Sequence, residues 1–178
     1  MYDEKELMLE LQDTEWPFEY IDHDRNIARA IVYDETGYFY FVRVVRDDDF
    51  GKAILIETAG GGVEQGENLV TAIKRELKEE LGVQVDVVCK IGVVSDYYNL
   101  LHRHNINNYY LCKVESFGEK NLTQDEIDSF HLSTLKMTYD EAVREYESRA
   151  NTKLGKLVAK RELTILHRAK EIINSSSV

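Results

Sequence analysis

The chain has 178 residues, of which 43% are hydrophobic and 31% are charged, and its formal net charge at pH 7 is −11. This length and composition predict one globular domain that buries a core without disulfide bonds, which excludes an intrinsically disordered protein. The negative charge argues against nucleic acid or an anionic membrane surface as partners, and it suits a protein that holds divalent cations.

The first residues carry no signal for secretion or membrane insertion. The stretch "MYDEKELMLELQD" is acidic and lacks a basic segment followed by a long apolar run, so no signal peptide is predicted. No stretch approaches the roughly 20 apolar residues of a membrane span. Cys89 and Cys112 lie in apolar, strand-like contexts, and both are predicted to be reduced core residues. We therefore expect a cytoplasmic protein.

The sequence divides into an N-terminal extension, residues 1–25, and a main domain, residues 26–178, on which we expect the extension to pack. A short helix is predicted in the extension at "EKELMLELQ". In the main domain, "IARAIVYD" and "GYFYFVRVVR" are rich in β-branched and aromatic residues and flank "ETG", which predicts a hairpin. Another predicted strand, "AILIET", runs into the glycine cluster "AGGGVEQGE".

A helix is predicted after the glycine cluster, from Asn68 as N-cap to Leu81, with Gly82 directly after its last turn. "VQVDVVCKIGVVS" and "INNYYLCKVES" are predicted strands joined by "DYYNLLHRHN", and the rest is predicted to be helical. Thr138 and Glu141 have the spacing of a capping box. Strands and helices alternate without regular βαβ repetition, which predicts the α/β (α+β) class with a mixed sheet covered by helices.

The C-terminal helix, "KLGKLVAKRELTILHRAKEII", has apolar residues at helical spacing and a basic polar side. The basic side consists of Lys153, Lys156, Lys160 and Arg161. Such a run predicts a solvated face, with a dimer contact or a phosphate-facing role as alternatives.

Three glutamates, Glu76, Glu79 and Glu80, fall within an arc of about 100° on the helix that contains "AIKRELKEELGV". They adjoin a predicted apolar stripe formed by Val70, Ile73, Leu77 and Leu81. The carboxylates should therefore lie at the seam between helix and sheet, where their pKa values rise unless cations neutralise them. Mg²⁺ or Mn²⁺ suits such oxygen ligands. The alternative is a solvated Glu/Lys-rich face.

The loop before this helix favours the metal-binding interpretation. Gly61 is followed after five residues by Glu67, and after seven more by "RELKEELGV", residues 75–83. This pattern resembles the Nudix box, G-x5-E-x7-R-E-U-x-E-E-x-G-U with U aliphatic, at every fixed position. A chance match has a probability on the order of 10⁻⁸ per starting position. The chain thus resembles the Nudix hydrolases over about residues 26–145, and the resemblance implies a Nudix-type α/β/α sandwich with the Nudix loop–helix.

The resemblance also implies roles for individual residues. Three residues would bind Mg²⁺ or Mn²⁺: Gly60 through its carbonyl, Glu76 and Glu80. Glu79 would complete the cluster, either as a metal ligand or as the base toward the attacking water. Arg75 and Glu67 would form a charge pair that orients the loop on the helix, with an i,i+4 surface pair of Arg75 and Glu79 as the alternative.

Relatives often add an acidic ligand from a later loop, and Glu126 in "TQDEID" is the candidate here, with Glu119 and Glu115 behind it. An exposed loop acid is the alternative for Glu126.

The residues that would contact the rest of the substrate are less sharply defined. Tyr98, beside Tyr97, would either stack on a base or fill the core. Arg103 or His104 would contact a substrate phosphate, with a solvated strand start as the alternative. The "AGG" before the box is similar to the ADP-ribose and nucleotide-sugar pyrophosphatases, whereas a tyrosine slightly beyond Tyr98 is associated with dinucleoside polyphosphate hydrolases.

Nudix relatives hydrolyse a diphosphate bond in nucleoside diphosphate derivatives. The expected substrate is ADP-ribose or a nucleotide sugar. The alternatives are a dinucleoside polyphosphate, an oxidised or unmodified nucleoside triphosphate, or a nucleotide-sensing role without turnover. The expected partner is this small molecule, with neither nucleic acid nor membrane, and a homodimer is left open.

Overall fold

The computed structural model describes residues 5–176. Its strands are β1 (Leu7–Leu11), β2 (His23–Tyr33), β3 (Phe39–Asp48), β4 (Gly51–Glu57), β5 (Ala59–Gly62), β6 (Val83–Tyr98), β7 (Arg103–Phe117) and β8 (Ser133–Met137). Its α-helices are α1 (Leu69–Leu81), α2 (Gln124–Asp128), α3 (Tyr139–Arg149) and α4 (Lys153–Ser175). A single 3₁₀ turn, Asn99–Leu101, joins β6 to β7.

The strands form a mixed sheet in the order β1-β6-β7-β2-β3-β4, with β5 paired to β2 and β8 paired to β3. Parallel pairs join β1 to β6 and β2 to β7, and the other pairs are antiparallel. The register of β2 with β3 covers only Val32↔Tyr40 and Tyr33↔Phe39, whereas residues 27–30 of β2 pair with β5. The sheet therefore opens between β2 and β3, and this opening provides the space for a site.

Helices cover both faces of the sheet. One apolar cluster joins α1 to one face through residues such as Ile73 and Leu77. A second cluster joins α3 and α4 to the other face through residues such as Tyr146 and Ile165. This confirms the α/β/α sandwich with a mixed sheet. Among the helices of residues 5–176, none combines the length and the apolar character that crossing a membrane requires.

Several local predictions are confirmed. The β2–β3 hairpin turns at the predicted "ETG". Helix α1 starts after Asn68, whose side chain accepts a hydrogen bond from Thr71 N, and it ends at Gly82 with φ 67°. Helix α3 starts with the predicted capping box of Thr138 and Glu141.

The predicted N-terminal helix is wrong, because Leu7–Leu11 of that segment form strand β1; its first residue, Glu4, lies outside the described residues. Leu7, Leu9 and Leu11 are half-buried and alternate with exposed residues, which is the period of a strand. Pairing with the edge of β6 outweighs the helical propensity of the segment. Strand β2 begins at His23 and so crosses the predicted domain boundary at residue 25.

Three further expectations need correction. Val70 is 42% exposed, and the buried arc of α1 extends instead past Glu80 and Glu76 to Ala72. Strand β8 forms in a region predicted to be helical, where it pairs with β3. Arg161, predicted on a solvated face, is completely buried, because α4 presents this residue to the sheet.

Candidate active site

A cavity of about 410 Å³ lies in the opening between β2 and β3. Its glycine-rich rim is β5, and apolar residues of β3 and of the segment before β8 form part of its wall. Charged residues of both signs line the rest: Glu57, Glu76, Glu80, Glu126, Arg25, Arg29, Arg46 and Arg103. The sequence-predicted helix thus faces a cavity that carries carboxylates and guanidinium groups together.

Glu76 and Glu80 lie in the seam between α1 and β5, as predicted. Each residue is 8% exposed. The Gly60 N–H donates a hydrogen bond of 2.9 Å to Glu80 Oε2. A Cβ atom on Gly61 would lie 2.6 Å from the Glu76 carboxylate, so only glycine allows this approach. The glycine run therefore lets the helix bring two carboxylates against the backbone of β5.

Burial shifts the acidity of both carboxylates. The pKa of Glu80 rises to about 8, mainly through burial, and the charges of Glu76 and Glu126 push it further up against the hydrogen bond from Gly60. Burial also raises the pKa of Glu76, although the adjacent Arg75 opposes the shift. The site therefore holds negative charge that its own surroundings stabilise poorly.

Arg75 ties the loop to the helix. Its Nε and Nη2 donate to the two carboxylate oxygens of Glu67 at 2.8 and 2.9 Å, and Nη2 also reaches the Gly62 carbonyl at 3.1 Å. Its Nη1 donates to Glu76 at 2.7 Å and contacts Glu79 at 3.4 Å. The bidentate contact with Arg75 holds the pKa of Glu67 at about 2. Both predicted contacts of Arg75 are present, and the contact with Glu67 has the better geometry.

The two remaining predicted acids lie in different positions. Glu79 is half-buried on α1, beside Arg75 and outside the residues that line the cavity. Glu126 lies on α2 and lines the cavity, and its carboxylate also accepts a hydrogen bond of 2.7 Å from Thr123 N in a capping box.

The carboxylates of the cavity offer oxygen donors to a divalent cation. Within residues 5–176, no three His, Cys, Asp or Glu side chains already converge as a metal-binding group. The Glu76 carboxylate accepts a hydrogen bond from Arg75, and the Glu80 carboxylate accepts one from the Gly60 N–H. These separate partners hold the two carboxylates apart from each other. No side-chain cation within the same residues forms an ion pair with Glu80, whose pKa is raised to about 8. Two buried carboxylates with raised pKa values are a donor set that suits Mg²⁺ or Mn²⁺.

The predicted substrate residues separate onto two faces of the sheet. Tyr98 and Arg103 form a register pair and both line the cavity, with the Arg103 guanidinium 5.4 Å from the centre of the Tyr98 ring. Tyr98 is only 7% exposed, so most of its ring packs in the core. His104, the next residue along the strand, stacks on Tyr97 and bonds to Asp24 at 2.9 Å. Adjacent residues of a strand face opposite sides, which explains the separation.

Sequence reasoning missed four of the charged residues that line the cavity: Arg25, Arg29, Arg46 and Glu57. Glu57 ends the apolar strand β4 just before the glycine cluster, and that abrupt change of polarity could have identified it. The arginines lie on β2 and β3 among residues of strand-like pattern and carry no comparable signal.

A buried ionic network lies behind two residues that line the cavity, Thr58 and Tyr98. Arg161 of α4 donates to Asp96 at 2.9 Å, to the Tyr98 hydroxyl at 2.9 Å and to Glu162 at 3.0 Å. The Thr58 hydroxyl, at the cavity wall, lies 3.0 Å from both oxygens of Glu162. Helix α4 therefore supports the residues that line the site.

Comparisons with known proteins agree with this architecture. A model of the NUDIX domain matches residues 23–158. The chain is 37% identical over 57 residues to an 8-oxo-dGTP diphosphatase of Haemophilus influenzae, and the match spans 32% of this chain and 40% of that protein.

Two solved structures share the fold. A NUDIX hydrolase from Nitrosomonas europaea aligns with a TM-score of 0.61 at 17% identity, covering 80% of this chain and 90% of that chain. A structure described as an ADP compounds hydrolase aligns with a TM-score of 0.60 at 14% identity, covering 85% of this chain and 74% of that chain. At these identities, the likeness concerns the fold alone.

Proposed function

Because the chain belongs to the Nudix family, we propose that it hydrolyses a diphosphate bond in a nucleoside diphosphate derivative with the help of Mg²⁺ or Mn²⁺. The observation that carries this proposal is the pair of buried carboxylates, Glu76 and Glu80, packed against the glycines of β5 at a cavity. Burying two carboxylates side by side is unfavourable without a cation, which gives the arrangement a functional reason.

In the proposed site, Glu76, Glu80 and the Gly60 carbonyl hold the cation, with Glu126 as a further ligand from the facing wall. When bound, the cation would supply water activation and neutralisation of diphosphate charge. Glu79, which is half-buried beside Arg75, acts as a further ligand or accepts the proton of the attacking water. Arg75 is a positioning residue, since its fork holds Glu67, the Gly62 carbonyl and the carboxylate of Glu76 in one arrangement.

Our first candidate substrate is ADP-ribose or a nucleotide sugar. The Ala59-Gly60 pair before the box supports it. An oxidised nucleoside triphosphate is the second candidate, because the sequence match to the 8-oxo-dGTP diphosphatase favours it.

A substrate panel tests the proposal. The purified chain is assayed with ADP-ribose, sugar nucleotides, dinucleoside polyphosphates and 8-oxo-dGTP, with Mg²⁺ or Mn²⁺, by release of phosphate-bearing products. We expect hydrolysis of at least one class and a loss on the order of a thousandfold in kcat for Glu80→Gln, since several kcal/mol of charge stabilisation disappear. Glu35→Gln, an exposed acid of the β2–β3 turn, is the matched control and should keep the wild-type rate.

Two outcomes would contradict the proposal. A Glu80→Gln variant with a nearly wild-type rate would remove Glu80 from the site. Tight binding of a panel member without hydrolysis of any would instead favour a nucleotide-sensing module.

A further inference from the structure

Three side chains from three neighbouring strands form a chain of hydrogen bonds on the face of β7 that points away from Arg103 and the cavity. The Ser95 hydroxyl of β6 lies 2.5 Å from His104 Nε2, and His104 Nδ1 lies 2.9 Å from Asp24 Oδ1. His104 is on β7, which lies between β6 and β2 in the sheet. Hydrolases that use a serine nucleophile connect a hydroxyl, an imidazole and a carboxylate through these same two ring nitrogens.

The strand register explains how these contacts form. Asp24 stands opposite His104 in the parallel pair of β2 and β7, and Tyr97 stands opposite His104 in the antiparallel pair of β6 and β7. Ser95, two residues before Tyr97, shares its face of β6 and is a diagonal neighbour of His104. The Tyr97 ring stacks on the imidazole, with the ring centres 4.7 Å apart and an angle of 21° between the planes. Three strands and an aromatic ring therefore fix the orientation of His104.

The hydrogen bonds determine the tautomer of His104. An ionised carboxylate can only accept, so the Nδ1–H of His104 donates to Asp24. The Nε2 atom of the neutral ring is then an acceptor, and the Ser95 hydroxyl donates its proton to it. Ser95 is thus a nucleophile that already contacts a base, and Asp24 is a positioning residue that acts through His104.

The surroundings of Ser95 are open and partly apolar. Glu10 of β1 and Ile106 of β7 stand on either side of Ser95 in the register, and Val93 precedes it on the same face. Glu10 is exposed, whereas Val93, Ser95 and Ile106 are half-buried. Met8, which stands opposite Val93, is 71% exposed. A small substrate can therefore reach the hydroxyl from solvent and place an apolar group beside it.

Charge restricts the class of substrate that suits this surface. The register places Glu10 beside Ser95 and Asp24 beside His104, and both acids are exposed. Two carboxylates at this position repel anionic substrates such as nucleotides. An uncharged ester, by contrast, can place its alkyl or aryl group against Val93 and Ile106.

We propose that Ser95, His104 and Asp24 form a second hydrolytic site, which cleaves uncharged carboxylic esters without a metal ion. This activity goes beyond the proposed function and does not rest on it. Ser95 Oγ bonds to the acyl carbon while His104 Nε2 takes the hydroxyl proton, and the ester C–O bond breaks as that proton passes to the departing alkoxide. Water then attacks the acyl-serine with His104 as base, which releases the carboxylic acid and restores the serine. Because the face is open, water supplies the hydrogen bonds to the oxyanion, and we expect slow turnover.

Hydrolysis of p-nitrophenyl butyrate by the full chain in EDTA tests the site, with release of nitrophenolate as the readout. EDTA removes the metal ion on which the proposed diphosphate hydrolysis depends, so the two activities are measured separately. We expect Ser95→Ala and His104→Gln each to lower the rate by about a hundredfold, the lower end of what a positioned general base contributes. Ser116→Ala, at an exposed position of β7, is the matched control and should keep the wild-type rate.

Covalent labelling distinguishes catalysis from a structural contact and needs no variant. A fluorophosphonate, which bonds stably to activated serines, should add one equivalent of mass to the wild type, and peptide mapping should locate it on Ser95. Asp24→Asn should slow this labelling by about tenfold, since an amide can donate to Nδ1 and so favours the wrong tautomer of His104. Asp24→Glu should restore much of the labelling rate, and thermal melts of both variants should match the wild type.

Several outcomes would overturn the proposal: ester hydrolysis no faster than in buffer, labelling that misses Ser95, or a wild-type rate in Ser95→Ala. Loss of activity in His104→Gln combined with an unchanged rate in Ser95→Ala would show that the imidazole itself attacks the ester, which also refutes the serine as nucleophile. Ester hydrolysis at Ser95 in a chain that cleaves no diphosphate would support this site and refute only the proposed function.

Discussion

Replacing Arg161 with methionine should destabilise the protein strongly, although the sequence predicts this residue on the solvated basic side of its helix, where a replacement would cost little. Arg161 is completely buried and donates to Asp96, Glu162 and the Tyr98 hydroxyl. Asp96 is 4% exposed and Glu162 is not exposed at all, so both carboxylates would lose their cation without gaining water. The neighbouring Arg29 cannot take over freely, because it already bonds to Asn107 and to the Thr58 carbonyl.

The expected cost follows from this arrangement. Removing one partner of a buried ion pair typically costs about 3–5 kcal/mol, because the charge that remains is buried and unpaired. At about 2–4 °C per kcal/mol for a chain of this size, the midpoint of thermal unfolding should fall by roughly 6–20 °C. The double variant Arg161→Met/Glu162→Gln should lose less than the sum of the two single variants, since it also removes one stranded charge.

Urea unfolding at pH 7.5, followed by circular dichroism, measures these free energies of unfolding. Lys160→Met, an exposed neighbour on α4, is the control and should change the free energy of unfolding by no more than about 0.5 kcal/mol. A loss below about 1 kcal/mol for Arg161→Met, or strict additivity with Glu162→Gln, would show that the network contributes little.

Three changes in the loop and helix give further predictions. Gly61→Ala places a Cβ atom 2.6 Å from the Glu76 carboxylate and so displaces it. We expect kcat to fall about a hundredfold while the circular dichroism spectrum stays native. An unchanged kcat would refute the close approach. A lysine at position 75 cannot reproduce the bidentate contact of Arg75 with Glu67, so steady-state kinetics of Arg75→Lys should show a fall in kcat of about tenfold to a hundredfold. A wild-type rate would contradict the positioning role of Arg75. In EDTA, the pKa of Glu80 is about 8 in the folded protein and 4.5 in the unfolded chain, so folding favours the protonated carboxyl. This contribution to the free energy of unfolding is complete below pH 4.5 and is lost as the pH rises from 4.5 through 8. The free energy of unfolding of Glu80→Gln should therefore exceed that of the wild type by up to about 5 kcal/mol at pH 9, with little difference at pH 4.5, as urea unfolding measures.

The carboxylates of the site could be predicted because the residues that determine their positions are close together in the sequence. Helical periodicity places Glu76 and Glu80 on neighbouring sectors of α1, and the glycines that receive them lie on the strand directly before the loop. The caps at Asn68 and Gly82 fix the ends of this helix from short-range signals alone. Neighbouring residues thus determine both the helix and the direction of its acidic side.

The remainder depends on pairing between distant segments. Arg25 and Arg103 line the same cavity because β2 and β7 pair in parallel, and no local sequence pattern predicts that pairing. The sequence predicts a helix at β1, whereas pairing with β6 imposes the alternating burial of a strand. The burial of Arg161 likewise depends on the face that α4 turns toward Asp96, a strand residue far away in sequence.

The hydrogen bond between Thr58 and Glu162 has a consequence for how the protein is made. Its two residues are 104 positions apart in the chain, so at typical rates of translation they leave the ribosome roughly 5–20 s apart. The carboxylates of α1 can dock on β5 well before that, because their partners are close in sequence. On a nascent chain, the carboxylates of α1 can therefore reach β5 before α4 has emerged to support Thr58 and Tyr98, which line the cavity.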